Sequence, residues 1–348
     1  MKKHLFIVLI FAFALAIGLS YIFLRIDLIP RPSSLERQSI DHLLKILFAI
    51  ASVIFALVIS VFVYSLIFFR RRPGDDKDAP PIKGYGSLEM AWTVIPLIIV
   101  IGLGAYGGVV LNDMTRPGPP QSELEIDVTA SRFAWQFNYP TYGNITSFEL
   151  ELPINQRVAL YMQSKDVVHS FWVQEFGPKQ DVVPGMTTQL RFTPTEIGHY
   201  TVQCSQLCGY GHTYMTAPVN VVSLADFQTW VQAQQAAPSP TPTATPSTGP
   251  TQPSVTINLM AMNISFDLSI IMVPAGASVT INFNNMDNIP HNFAVYTDSS
   301  AQTPIFRGQI VTGPAKVTYN FTAPAKPGTY FFRCDVHPTI MTGKFVVQ

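Results

Sequence analysis

Three uninterrupted apolar stretches near the start of the chain limit its fold more than any other feature. They run over about residues 5–24, 47–69 and 91–111, and each is about the length that crosses a ~30 Å hydrocarbon layer as a helix. Helices buried in soluble proteins seldom stay apolar all round for so long. Lys2, Lys3 and His4 precede the first stretch, Arg70, Arg71 and Arg72 close the second, and a basic segment ending near Lys83 leads into the third. With the basic clusters inside, everything beyond about residue 112 lies outside the cytoplasm. The first stretch fits a signal peptide or an extra transmembrane helix, and the rest of the chain ends on the same side in either case. Charged residues are only 13% of the 348, against roughly 25% in an average soluble domain, which excludes a single soluble cytosolic domain. Lys+Arg and Asp+Glu balance at 22 each, so nothing advertises a nucleic-acid partner.

Beyond residue 112 the pattern changes to short strands punctuated by Gly and Pro, expected over about 124–128, 148–152, 158–162 and 187–192, with a helix only near 224–235. This predicts a β-sandwich of about 100 residues. A segment rich in Pro, Ser and Thr follows (236–253), whose composition cannot pack a core and reads as an extended tether. A second strand-rich block closes the chain, with alternation over 278–283 and a terminal strand at 343–347. The expected organisation is a signal peptide or extra helix over 1–25, a transmembrane hairpin over 40–111, all-β sandwiches over 112–235 and 254–348, and the tether between them.

Each sandwich carries soft ligands in a loop before its last strand. In the first, "CSQLCGYGHTYM" supplies Cys204, Cys208, His212 and Met215, and "DVVHSF" supplies His169. Thiolates and a thioether select copper over oxygen-seeking ions, and two thiolates can bridge two coppers and spread one electron over both. A Cys204–Cys208 disulfide suits an oxidising compartment but leaves the His and Met residues without a role, and zinc leaves Met without one. In the second block, "CDVHPTIM" gives Cys334, His337 and Met341, and "PHNF" gives His291. One thiolate, two imidazoles and a weak thioether are the ligands of a mononuclear blue-copper site. His199, His42 and His4 are expected to have no chemical role.

The motifs "LEMAWTVIPLIIV" (88–100), "RFAWQFNYP" (132–140), "DVVHSFWVQEFGPKQDVVPG" (166–185) and the cysteine loop resemble cytochrome c oxidase subunit II, in order over about residues 40–232. The resemblance implies a cupredoxin fold outside the membrane and a dinuclear copper centre, CuA. Its ligands would be His169, Cys204, Cys208, His212, Met215 and the backbone carbonyl of Gln206. Where the family usually has a Glu that helps hold an interface magnesium, this chain has the uncharged Gln206. The tryptophan through which electrons usually enter falls at Phe133, and the second aromatic is kept as Trp135. Glu89 matches a family position at the mouth of a proton pathway, and is equally a favourable charge at a helix start. The second block resembles small blue-copper proteins of the plastocyanin and amicyanin kind.

Together these imply subunit II of a haem-copper terminal oxidase of the aa3 or caa3 kind in a prokaryotic plasma membrane. It would take single electrons at CuA for a catalytic subunit I, with subunit III alongside. The blue-copper block would be a tethered donor. Alternatively, it would accept electrons from, or dock, a soluble cytochrome c or cupredoxin. Neither 47–69 nor 91–111 contains a histidine to ligate haem, which places oxygen reduction in a partner. A copper-handling protein is the rival from another class. A quinol oxidase subunit is disfavoured by the copper cysteines, and a different reductase by the paired helices with "AWTVIP".

Overall fold

A computed structural model describes residues 2–25, 30–71, 73–74, 81, 84–119, 122–236 and 253–348. Of the sequence features named above, nearly all of the 236–253 tether, Arg72 and Lys83 lie outside these residues. The chain divides into two compact units, Met1–Pro117 and Gly118–Gln348.

The first unit is helical: α1 (Lys2–Arg25), α2 (Leu35–Phe68) and α3 (Gly86–Thr115), all long and apolar enough to cross a membrane. α2 begins well before the apolar stretch at 47. Ser34 caps it by accepting a hydrogen bond from the Arg37 amide at 2.9 Å, and an Arg37–Asp41 ion pair at 2.7 Å braces its polar first turns. Ser52, Ala56, Ser60 and Tyr64 recur every four residues and are buried, with Val8 and Ala12 of α1 buried as well. Small residues at this spacing let two backbones approach closely, and the stacked Phe23 and Phe48 rings, 5.3 Å apart, mark the other end of the contact between α1 and α2. α3 buries none of its described residues within the unit, so its apolar surface needs lipid or another chain to cover it.

The second unit holds two sandwiches. The first comprises β1 (Leu124–Ser131), β2 (Ala134–Tyr139), β3 (Ile145–Ser147), β4 (Leu150–Pro153), β5 (Val158–Ser164), β6 (His169–Val173), β7 (Lys179–Val182), β8 (Thr188–Phe192), β9 (Gly198–Cys204) and β10 (Thr216–Val222), followed by α4 (Leu224–Ala236). Its sheets run β3-β2-β1-β5-β8 and β4-β10-β9-β6-β7. Alternate residues of β1 point inward (Leu124, Ile126, Val128, Ala130), as the two-residue period of a strand requires. The second sandwich comprises β11 (Ser254–Ala261), β12 (Ile270–Val273), β13 (Ser278–Asn285), β14 (Pro290–His291), β15 (Ala294–Tyr296), β16 (Pro304–Arg307), β17 (Val311–Thr312), β18 (Ala315–Thr322), β19 (Gly328–Arg333) and β20 (Thr342–Val347). Its sheets run β11-β13-β18 and β12-β20-β19-β15-β16, with β14-β17 as a small ribbon.

The sandwiches share a plan. Each first strand pairs in parallel with a later one (β1 with β5, β11 with β13), and an edge strand pairs in parallel with the last strand (β4 with β10, β12 with β20). In each, the strand before the last leads into the candidate ligand cysteine, and the last strand begins just beyond the candidate ligand methionine. The ligand loop is therefore a hairpin connection closed by a rigid ladder.

Candidate metal centres

The same backbone bond closes both ligand loops: the Cys204 amide donates to the Met215 carbonyl at 3.0 Å, and the Cys334 amide to the Met341 carbonyl at 2.9 Å. Cysteine and methionine are thereby held side by side although eleven and seven positions separate them in sequence.

At the first site Cys204 Sγ lies 3.8 Å from Cys208 Sγ and 3.8 Å from His169 Nδ1. Cys208 Sγ lies 3.6 Å from His212 Nδ1 and 3.9 Å from Met215 Sδ, and the Gln206 carbonyl is 3.2 Å from Cys204 Sγ. Both cysteines are free and buried, too far apart to be bonded, and set so that cations between them would touch both sulfurs. The fold thus brings together every residue expected at this site. Burial opposes ionisation of both thiols. Hydrogen bonding around Cys204, from His169 above all, still brings that thiol down to about 7. Burial, and then the negative charge developing on Cys204, push Cys208 up to about 12. Cys204 is therefore the first of the pair to ionise, and its charge opposes ionisation of Cys208. Bound cations would ionise both, and the donor set is as soft as copper requires.

At the second site Cys334 Sγ lies 3.7 Å from His291 Nδ1 and 3.8 Å from His337 Nδ1, and the two imidazole nitrogens are 3.1 Å apart. Met341 is buried in the same loop. Burial pushes the Cys334 thiol up to about 12 and depresses both histidines, so burial favours the uncharged form of all three side chains and a bound cation would favour the thiolate.

Two aspartates complete these sites, and neither was anticipated from the sequence. Asp166 Oδ1 is 2.8 Å from His169 Nε2, and Asp287 Oδ2 is 3.0 Å from His291 Nε2. Each takes the ring's outer nitrogen, which leaves Nδ1 to face the thiol; carboxylate–histidine–metal arrays use this device to fix tautomer and ring angle. The available signal was an acid three or four residues before His169 and His291, in "DVVH" and "DNIPH". Asn292, next to His291, accepts from the Asp335 amide at 2.7 Å and ties the two ligand segments together.

The aromatic residues are both internal. Trp135 donates its indole N–H to the Met215 carbonyl at 3.4 Å and meets the His169 ring edge-on at 6.2 Å. Phe133, expected at a docking surface, is only 2% exposed. It sits edge-on beneath Tyr210, with ring centroids 4.9 Å apart, and Tyr210 is 70% exposed. Glu89 occupies the exposed first turn of α3, where its amide donates to the Tyr85 carbonyl. His199 faces Asn220 Oδ1 at 2.8 Å, far along β9 from the ligand loop.

Comparison with known proteins agrees with this architecture. Residues 24–107 match the model for the cytochrome c oxidase subunit II transmembrane domain, 145–222 match its periplasmic domain, and 229–347 match a cupredoxin-like domain. The chain is 32% identical over 260 residues to cytochrome c oxidase subunit 2 of Thermostichus vulcanus, covering 60% of this chain and 79% of that one. It is also 32% identical over 257 residues to the Synechocystis subunit 2, covering 61% and 77%. Among solved structures, auracyanin A of Chloroflexus aurantiacus aligns with 27% of this chain and 99% of its own, at 28% identity and a TM-score of 0.26. This is a multi-pass membrane protein with its metal sites outside the cytoplasm, and it serves electron transfer within an oxidoreductase complex. With anchor, periplasmic fold and ligand loop all in place, the chain belongs to the cytochrome c oxidase subunit II family.

Proposed function

We propose that this chain receives single electrons for a haem-copper terminal oxidase through two copper stations. His169, Cys204, the Gln206 carbonyl, Cys208, His212 and Met215 would hold dinuclear CuA; His291, Cys334, His337 and Met341 would hold one blue copper. The observation that carries this reading is the convergence of two unbonded thiols on two imidazoles, a thioether and a carbonyl in one loop system. Bound copper supplies one-electron chemistry, and everything else is the work of the chain. The closed loops and the aspartate-held imidazoles keep ligand positions fixed, and the buried Met215 and Met341 exclude water from one side of each site. A rigid ligand set that need not rearrange favours electron transfer over hydrolysis.

The functional division we propose follows the sequence: an anchor over 40–111, with 1–25 as a further helix or signal, the CuA domain over 112–235 and the blue-copper donor over 254–348. The 236–253 segment would tether the donor, which raises its concentration at CuA to about the millimolar range. Oxygen reduction would belong to subunit I, with subunit III beside it, against the apolar surface of α3 and its neighbours. Exposed Gln206 offers a neutral amide, so an interface magnesium would gain no charge from it.

A copper count and electron paramagnetic resonance on the full-length chain in detergent test this. The expected result is about three coppers, with a mixed-valence dinuclear signal over a separate mononuclear one, and Cys334→Ser deleting only the latter. A single copper, or a Cys204–Cys208 disulfide that persists under reducing copper loading, would overturn it.

A further inference from the structure

The two ligand loops touch each other. Three of the contacts that join the sandwiches involve a residue close in sequence to a candidate metal ligand. Ile264, from the turn after β11, reaches Gly211, which precedes His212: a methyl group built on Gly211 would lie 2.8 Å from the Ile264 terminal carbon and closer still to the Phe133 ring. Thr339, between His337 and Met341, shares a hydrogen bond of 2.9 Å with Thr216, the residue after Met215. Arg333, the residue before Cys334, pairs with Glu149 at 2.7 Å.

The Ile264 turn is built at a cost. Asn263 and Ile264 have φ of 55° and 57°, a left-handed conformation that a β-branched residue rarely adopts. Asp287 holds it there: its carboxylate accepts from the Asn263 amide at 2.8 Å and the Ile264 amide at 2.9 Å. That carboxylate also orients His291. A strained apolar residue, 4% exposed, is thus pressed against the CuA loop by the group that positions a blue-copper ligand.

We propose that this contact is the docked state in which the electron passes, with Ile264, the Thr216–Thr339 bridge and the Glu149–Arg333 pair acting as positioning residues for transfer from the Cys334 site to the Cys204–Cys208 site. The inference rests on the two-station reading above. One electron leaves the Cys334 copper, Cu(I) becoming Cu(II), and one electron takes the mixed-valence pair to two Cu(I). No bond is made or broken and no proton moves.

The test uses the full-length, copper-loaded chain in detergent, reduced by a light pulse so that transfer between the sites can be followed optically without oxygen turnover. Ile264→Asn is the informative wedge variant, because Asn tolerates a left-handed backbone and keeps the amide that Asp287 accepts. Combined with Glu149→Gln, it should slow transfer at least about tenfold, equivalent to about 1.4 kcal/mol of docking. Copper content and both resonance signals should be unchanged, and the magnetic interaction between the centres should weaken. In the copper-free chain, the amides of Thr216 and Gly211 should exchange faster. Transfer within about twofold of the parent, with both signals intact, would overturn the proposal. Should the double variant lose copper, Glu149→Gln alone changes no residue of either ligand loop and should still slow transfer about threefold. A parent chain without a dinuclear signal would instead fail the two-station reading itself.

Discussion

Glu151 is a carboxylic acid in the wrong place for a charge, and its substitution by glutamine gives a pH test with a definite sign. It lies in β4 with only 8% of its surface exposed. Asn220 donates to its Oε2 at 2.8 Å, and the Tyr139 hydroxyl bonds its backbone on both sides. Burial drives its pKa from 4.5 to about 7; the Asn220 hydrogen bond opposes this, the neighbouring Glu149 charge adds to it, and His199 counters in part. The folded protein therefore binds a proton here that the unfolded chain has already released. Stability from this group is complete below about pH 4.5 and is lost as pH rises through 7. At about 1.4 kcal/mol for each pH unit between the two values, the loss is about 3 kcal/mol. Glu151→Gln keeps an acceptor for Asn220 and removes the titration. Urea unfolding of the full chain in detergent, followed by tryptophan fluorescence between pH 5 and 8, should show the parent losing about 2.5 kcal/mol relative to the variant. A difference that stays flat within about 0.5 kcal/mol would refute the argument, since it would mean that an ionised carboxylate is tolerated in this site without cost.

Asp166→Asn and Asp287→Asn should each lower copper retention at their own site by about 10- to 100-fold in a chelator competition, with the other site unaffected by the first. Gly211→Ala should destabilise the CuA domain by about 1–3 kcal/mol in the same urea assay, because the added methyl meets the Phe133 ring and Ile264 with nowhere to move.

The clusters of candidate ligands were legible in the sequence because soft residues at short spacing in one loop have few other uses, and the strands were legible because alternation survives wherever one face is buried. The ends of elements were less so. α2 starts at Leu35 because a serine cap and an Arg37–Asp41 pair extend a helix through residues that hydropathy discards. A strand expected from 148 begins at Leu150, since the Ser147 hydroxyl accepts from the Glu149 amide and bends the chain there. Phe133 was legible as an aromatic near the copper loop, but its burial depends on Gly209, Tyr210 and Gly211 folding over it. The Ile264 contact left no local trace at all. Nothing in a hydrophobicity pattern marks an isoleucine as left-handed, and the aspartate that holds it lies 23 positions away in sequence.

That aspartate makes the two domains less interchangeable than their common plan implies. A blue-copper domain taken from an unrelated protein and spliced after the tether would bring a complete ligand set and its colour. It would lack the Asn263–Ile264 turn, and so would not seat against the first sandwich. Transplanting residues 262–291 as a block would carry the turn, its clamp and the first imidazole together. In this chain the unit of inheritance is therefore larger than the metal site and smaller than the domain.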